Sequence, residues 1–173
     1  MRSQRLTYRP VEAHDASRIT ALAGEWDVAR MTSRIPHPYS LLDADLWIAS
    51  IATGEFVRGV EYDGNLIGAV GFLEVEHAQA EIGYWIGKPW WGNGYATEAA
   101  RALMDYCFGE CGIRRLTCGH FVDNTASARV IAKLGFRRVG ISTQWCEARK
   151  SEVETITYAR RRPIMAARWR SAP

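Results

Sequence analysis

Gly92 and Gly94 flank Asn93 just ahead of a helical stretch. Two glycines so placed let the backbone take conformations closed to residues with a Cβ and approach a ligand closely. The stretch that follows carries small or apolar residues at Ala96, Ala99, Ala100, Leu103, Met104 and Cys107, a three-to-four spacing that marks one buried face. Its unpaired N–H groups and positive dipole end point out of the turn, where an anion such as phosphate is stabilised. A plain tight strand-to-helix turn fits the same residues, because short glycine patterns recur without function. Two phosphate-binding schemes are excluded. A dinucleotide site needs an acid closing the next strand, and RRLTCGHF (residues 114–121) has none. A Walker loop needs Gly-Lys-Ser/Thr after the glycines, which is missing here.

The segment ahead of the turn, residues 80–87, reads as a strand. Ala80, Ile82, Tyr84 and Ile86 share one face, and Glu81, Gly83, Trp85 and Gly87 the other. Glu81 therefore lies opposite the apolar face and beside Gly83, where a ligand can approach closely; a solvated residue or an ion-pair partner is the alternative reading.

The elements that must position these groups follow from pattern and punctuation. Helical spacing covers residues 15–23 and 42–52. Residues 56–62 and 66–73 form a hairpin through Asp63-Gly64-Asn65, and a further turn near His77-Ala78-Gln79 leads into the Glu81 strand. A second strand precedes a short helix that stops at Leu134-Gly135-Phe136, and a last hairpin pairs residues 137–145 with 152–160. The expected fold is one mixed α/β domain over residues 1–173, its mostly antiparallel sheet turning parallel at the glycine helix, with helices on both faces.

A length of 173 residues suits one ordinary domain with a continuous core. No apolar stretch approaches the length of a membrane span, so a cytoplasmic location and no membrane partner are expected. Cys107, Cys111, Cys118 and Cys146 match no paired metal spacing, and Cys107 and Cys111 fall on one helical face, which favours buried free thiols and no metal. The formal charge of +3 comes with an arginine bias, Lys88, Lys133 and Lys150 being the only lysines. Such bias reflects genome composition more readily than a nucleic-acid surface.

The strand at residues 80–86 followed by Trp91-Gly92-Asn93-Gly94-Tyr95-Ala96 resembles the acyl-CoA-binding signature of the GNAT superfamily of N-acetyltransferases. Asn124-Thr125-Ala126-Ser127-Ala128-Arg129-Val130, ending Lys133-Leu134-Gly135-Phe136, is similar to the second signature of its RimJ/RimL-like branch. The opening Leu6-Thr7-Tyr8-Arg9-Pro10-Val11 with Asp15-Ala16, and later Ile35-Pro36-His37-Pro38-Tyr39, fit that branch too, so the likeness runs over nearly the whole chain. It implies acetyl-CoA as co-substrate, with the turn from Trp91 through Gly92, Asn93, Gly94, Tyr95, Ala96 and Thr97 against the pyrophosphate. The backbone of Tyr84, Trp85 and Ile86 would pair with the pantetheine. Asn124 would hold a pantetheine amide or cap its helix, or do both. Two positions depart from the superfamily: Trp91 stands where Gln or Arg is usual, and Ile131 where many members carry the Tyr that protonates the leaving thiolate.

Acetyl transfer to an amine sets further demands. An alkylammonium must lose its proton before it attacks a thioester, so a carboxylate or a water held by one is required. Glu81 is the first candidate, and Glu147, about ten residues beyond Gly135-Phe136, is the rival by resemblance. Ser127 replaces the missing acid in this reading, since a hydroxyl can hydrogen-bond a thiolate; a capping serine is the alternative. Backbone N–H groups around Trp85 and Ile86 would hold the oxyanion.

The expected partners are acetyl-CoA and an amine, with a homodimer left open. Protein N-termini, aminoglycosides, polyamines and amino acids all present amines, and residues 29–51, with Arg30, Arg34 and His37, are expected to discriminate among them or merely to face solvent. Two other classes stay open. One is a silent acyl-CoA sensor that keeps Gly92, Gly94 and Asn124. The other is an adaptor using the basic segment from Arg160, Arg161 and Arg162 to Arg170 on RNA or ribosomes.

Overall fold

A computed structural model describes residues 1–51 and 55–163. Strand β1 (Thr7–Arg9) is followed by helix α1 (Ala16–Ala23), the short α2 (Trp26–Ala29) and α3 (Leu41–Ile51). Strands β2 (Phe56–Tyr62), β3 (Asn65–Glu76) and β4 (Gln79–Ile86) lead into α4 (Tyr95–Gly109). Then come β5 (Arg115–Phe121), α5 (Thr125–Lys133), β6 (Arg137–Cys146) and β7 (Ser151–Arg161). The seven strands form one sheet in the order β1-β2-β3-β4-β5-β7-β6, antiparallel at every pairing except β4 against β5.

The expected hairpins are present. Asp63 and Gly64 both take positive φ (50° and 71°) between β2 and β3, a turn whose twist matches that of the flanking strands. Asp15, expected at the first turn of α1, instead closes a one-turn 3-10 helix, Ala13–Asp15. It is 3% exposed and accepts from both Arg9 Nη atoms at 2.7 Å and from the Glu12 N–H at 2.9 Å. Burial pulls its carboxyl upward, but those bonds outweigh burial and hold it below the usual aspartate value.

Helices cover both faces. Ile19, Ala23 and Ala44 of α1 and α3 pack on Leu66 and the half-buried Trp85. On the other face Ala99, Ala100, Leu103, Met104 and Cys107 of α4 and Ile131 of α5 pack on Val70, Ile82, Ile86 and Leu116, with Tyr84 against the cluster. The alternation of β4 thus sends Tyr84 toward α4 and α5 and Trp85 toward α1 and α3, as its pattern requires. Cys111 lies beyond the end of α4, half-buried, so the expectation that it shares a helical face with Cys107 fails; all four cysteines are free. The basic segment continues β7 through Arg161, and Arg168 and Arg170 lie outside the described residues. Among the described residues no helix is long and apolar enough to cross a membrane.

Candidate active site

Strand β4 pairs with β3 up to Ile86 but meets β5 only at Gln79, Ala80 and Glu81. Beyond Glu81 the two parallel strands diverge, leaving one edge of β4 open. The Gly87 N–H donates to the Ile67 carbonyl at 2.8 Å, so by alternation Trp85 also turns its backbone polar groups to β3, while Tyr84 and Ile86 turn theirs to the open edge. The Ile86 carbonyl fixes this direction, for it accepts the indole N–H of Trp91 at 2.6 Å. The expected backbone donors are therefore corrected: Ile86 and Tyr84 face the opening, and Trp85 does not. The Trp91 ring nitrogen thereby turns back to the strand, and any contact of Trp91 with a pyrophosphate falls to its backbone or the rest of its ring.

Gly92 and Gly94 take φ of 80° and 81°. A Cβ on Gly92 would meet nothing within 4 Å, and one on Gly94 only Arg5 Nη2 at 3.7 Å. The glycines are demanded by backbone conformation, and the space over the turn is open. Asn93 braces the turn, its side-chain amide donating to the Trp90 and Trp91 carbonyls at 3.3 and 3.1 Å. Gly94 caps α4 without a side chain, and the N–H groups of Tyr95, Ala96 and Thr97 have no partner among the described residues. These are the orphan donors that bind anions at helix ends.

Arg5, which carries no local signal in the sequence, completes this end of the site. Its Nη1 and Nη2 each donate to the Asn93 carbonyl at 3.2 Å, and its Nε and backbone N–H donate to Glu98 at 2.8 and 2.7 Å. Its guanidinium lies 4.6 Å from the centre of the Tyr95 ring, which in turn packs on Tyr62. The Tyr95 side chain is thus buried, and only its backbone faces the turn. Burial pulls the Glu98 carboxyl upward, yet the Arg5 bonds prevail and hold it below the usual glutamate value.

At the other end of the opening lies a cavity of about 600 Å³ whose lining includes Glu81, Tyr84, Trp85, Asn124, Ser127 and Glu147. Helix α5 begins at its wall because Asn124 Oδ1 accepts the Ser127 N–H at 3.0 Å. Asn124 is therefore the cap and Ser127 is not; the Ser127 hydroxyl bonds nothing in this turn. Asn124 Nδ2 also reaches the Met31 carbonyl at 3.5 Å, tying α5 to the segment after α2. Ile131 is 1% exposed, one turn further along in the core.

Three carboxylates line the cavity, and their partners differ. Glu55 is ion-paired with Arg34. Glu147 bonds Lys150 at 2.9 Å, and this bond, helped by the nearby Trp145 side chain, holds its carboxyl below the usual value, which weakens it as a base. Glu81 alone has no hydrogen bond or ion pair among the described residues; its charge is felt by Arg34 and by the Cys118 thiol, which burial pushes up to about 12. Of the residues expected to read the acceptor, Arg34 faces the cavity but is held by Glu55, Arg30 pairs with Asp27 at 3.1 Å, and His37 Nδ1 lies 3.0 Å from the Gly24 carbonyl. The Glu147 N–H donates to the Ser33 carbonyl at 2.9 Å, docking the β6–β7 turn on that segment. Trp47 and Glu55, which the sequence did not single out, join the lining only through tertiary packing. Among the described residues no group of three or more His, Cys, Asp or Glu side chains could hold a metal ion.

Residues 5–137 match the family model "Acetyltransferase (GNAT) domain". The chain is 30% identical over 168 residues to "Uncharacterized N-acetyltransferase YoaA" of Bacillus subtilis, covering 92% of this chain and 94% of that protein. Its fold superposes on a GNAT-family acetyltransferase from Bacillus anthracis with a TM-score of 0.82 at 23% identity, covering 94% of this chain and 98% of that one. Mycobacterium smegmatis RimJ, solved in complex with CoA-disulfide, gives a TM-score of 0.81 at 22% identity over 90% of this chain and 81% of its own. With the splayed β4–β5 edge, the bare helix end and these relationships together, the chain belongs to the GNAT family and is an acetyl-CoA-dependent N-acetyltransferase.

Proposed function

We propose that the protein moves an acetyl group from acetyl-CoA to a primary amine by direct attack within a ternary complex. The observation that carries this reading is the opening between β4 and β5, which joins the uncapped end of α4 to the cavity holding Glu81 and Ser127. The pyrophosphate lies on the N–H groups of the turn from Gly92 to Thr97, with Arg5 bracing the turn from outside. The pantetheine adds to the open edge of β4 as an extra strand, and its far end reaches Asn124. That path places the thioester near Ser127, with the Tyr84 and Ile86 N–H groups available to the developing oxyanion.

The acceptor enters on the side of Glu81. An unpaired carboxylate there attracts a cationic amine and can take its proton, and Trp47, Trp85 and Trp145 in the lining offer ring faces to the same charge. Ser127 supports the departing sulfur. Glu147 is the weaker base candidate because Lys150 already occupies it.

Thiol release measured over a panel of N-terminal peptides, polyamines, aminoglycosides and amino acids tests the proposal. Amine-dependent release above the hydrolysis rate is the expected outcome. CoA binding with no release for any amine would make the protein an acyl-CoA sensor, and salt-dependent RNA retention in its place would favour the adaptor reading.

A further inference from the structure

Tyr84 Oη is the one buried side-chain nitrogen or oxygen among the described residues without a hydrogen-bond partner. An orphaned buried hydroxyl is costly, and a phenylalanine of the same shape would avoid the loss. The phenol belongs to the cavity lining together with Ser127 and Cys118. The Ser127 side chain is close enough to draw the phenol toward ionisation but falls short of hydrogen-bond geometry, while burial dominates and pushes the phenol up to about 12. Tyr84 packs in the same core cluster as Ile131, the position that leaves the family's usual donor out of this chain.

We infer that the Tyr84 phenol is a catalytic hydrogen-bond donor to the departing CoA sulfur, reaching from β4 the point that a tyrosine on α5 serves elsewhere in the superfamily. This rests on the acetyl-CoA reading above. The neutral amine forms the C–N bond, the thioester C–S bond breaks with its electron pair on sulfur, and the nitrogen's surplus proton passes to Glu81 and then to solvent. Tyr84 keeps its own proton throughout. It shares a hydrogen bond with the thiolate beside Ser127 until solvent protonates the sulfur on release. Burial suits this role, since it keeps the phenol in its neutral, donating form.

Tyr84→Phe is the test, read by single-turnover acetyl transfer, CoA calorimetry, thermal melts and the ultraviolet absorbance of the bound CoA thiolate as a function of pH. The expected result is a rate about 10- to 100-fold lower, on the scale of one lost donor to developing charge. CoA affinity should stay within about threefold, the melting point unchanged or higher, and the bound CoA thiol should ionise at higher pH than in the native protein. A rate within about threefold of native, an unmoved thiol titration, or a rate loss that tracks lost CoA binding would each overturn the inference while leaving the transferase reading in place. Failure of the native protein to bind CoA would remove that reading itself, and the inference with it.

Discussion

Glu81→Gln removes a negative charge while keeping the shape of the side chain. Glu81 is exposed, its carboxylate accepts no hydrogen bond and pairs with no cation among the described residues, so its loss should leave the melting point nearly unchanged. Of the three cavity carboxylates, Glu55 is neutralised by Arg34 and Glu147 by Lys150, which leaves Glu81 as the one free to accept a proton. A positioned general base contributes about 10²- to 10⁴-fold. At about 1.4 kcal/mol per factor of ten, that is roughly 3–5 kcal/mol of barrier. The proposed CoA site begins at the far end of β4, so CoA affinity should persist. Single-turnover rates with saturating acetyl-CoA and amine, calorimetry with CoA, and the same measurements on Glu147→Gln form the assay. Glu147→Gln should cost less than about tenfold, a range below that of a general base. A Glu81→Gln rate within threefold of native would refute the assignment. A larger loss in Glu147→Gln would move the base to the β6–β7 turn despite its lysine.

Gly94→Val places a β-branched residue at φ 81°, and the strain of such a conformation, about 1–3 kcal/mol, falls on the turn itself because the surrounding space is open. CoA affinity should drop at least tenfold by calorimetry, with a folded protein of modestly lower melting point; unchanged affinity would remove the phosphate from this turn. Asn124→Ala should lower stability by about 1 kcal/mol through loss of the cap to Ser127, a shift of about 2–4 °C for a chain of this length. Ser127→Ala should instead slow the chemical step about 10- to 100-fold with the melting point unmoved, because its hydroxyl caps nothing; a lower melting point with an unaltered rate would make it structural. Glu98 has a depressed folded value, so its contribution through Arg5 is present above the ordinary glutamate value and lost as pH falls through the folded one. CoA affinity should therefore hold from neutral pH to about pH 4 and decline below it. Arg5→Gln should lower the plateau and blunt that acid loss; an identical acid profile in Arg5→Gln would disconnect Glu98 from the turn.

Much of the architecture is written in local pattern. The two glycines before an apolar helical face mark the start of α4, Asp63-Gly64 dictates the tight turn between β2 and β3, and the two-residue period of β4 assigns Glu81 and Tyr84 to opposite faces, because steric limits on φ and side-chain alternation act over a few residues. Asn124 as a cap is of the same kind, its partner lying three residues away. The splay of β4 from β5 is different in kind: it follows from how two strands separated by a helix twist apart, and no residue announces it. Arg5 reaches Asn93 and Glu98 across some ninety residues of chain, and the Trp91 indole turns back to the Ile86 carbonyl, a contact no local pattern shows. Glu81 and Glu147 read alike in the sequence as acids near a site. Glu147 has Lys150 three residues on, a local pairing, but only the closed fold leaves Glu81 without a cation, since a carboxylate's proton affinity depends on charges within a few ångströms. The orphaned phenol of Tyr84 is likewise invisible until the chain is closed around it, because an absent partner is a property of a whole neighbourhood.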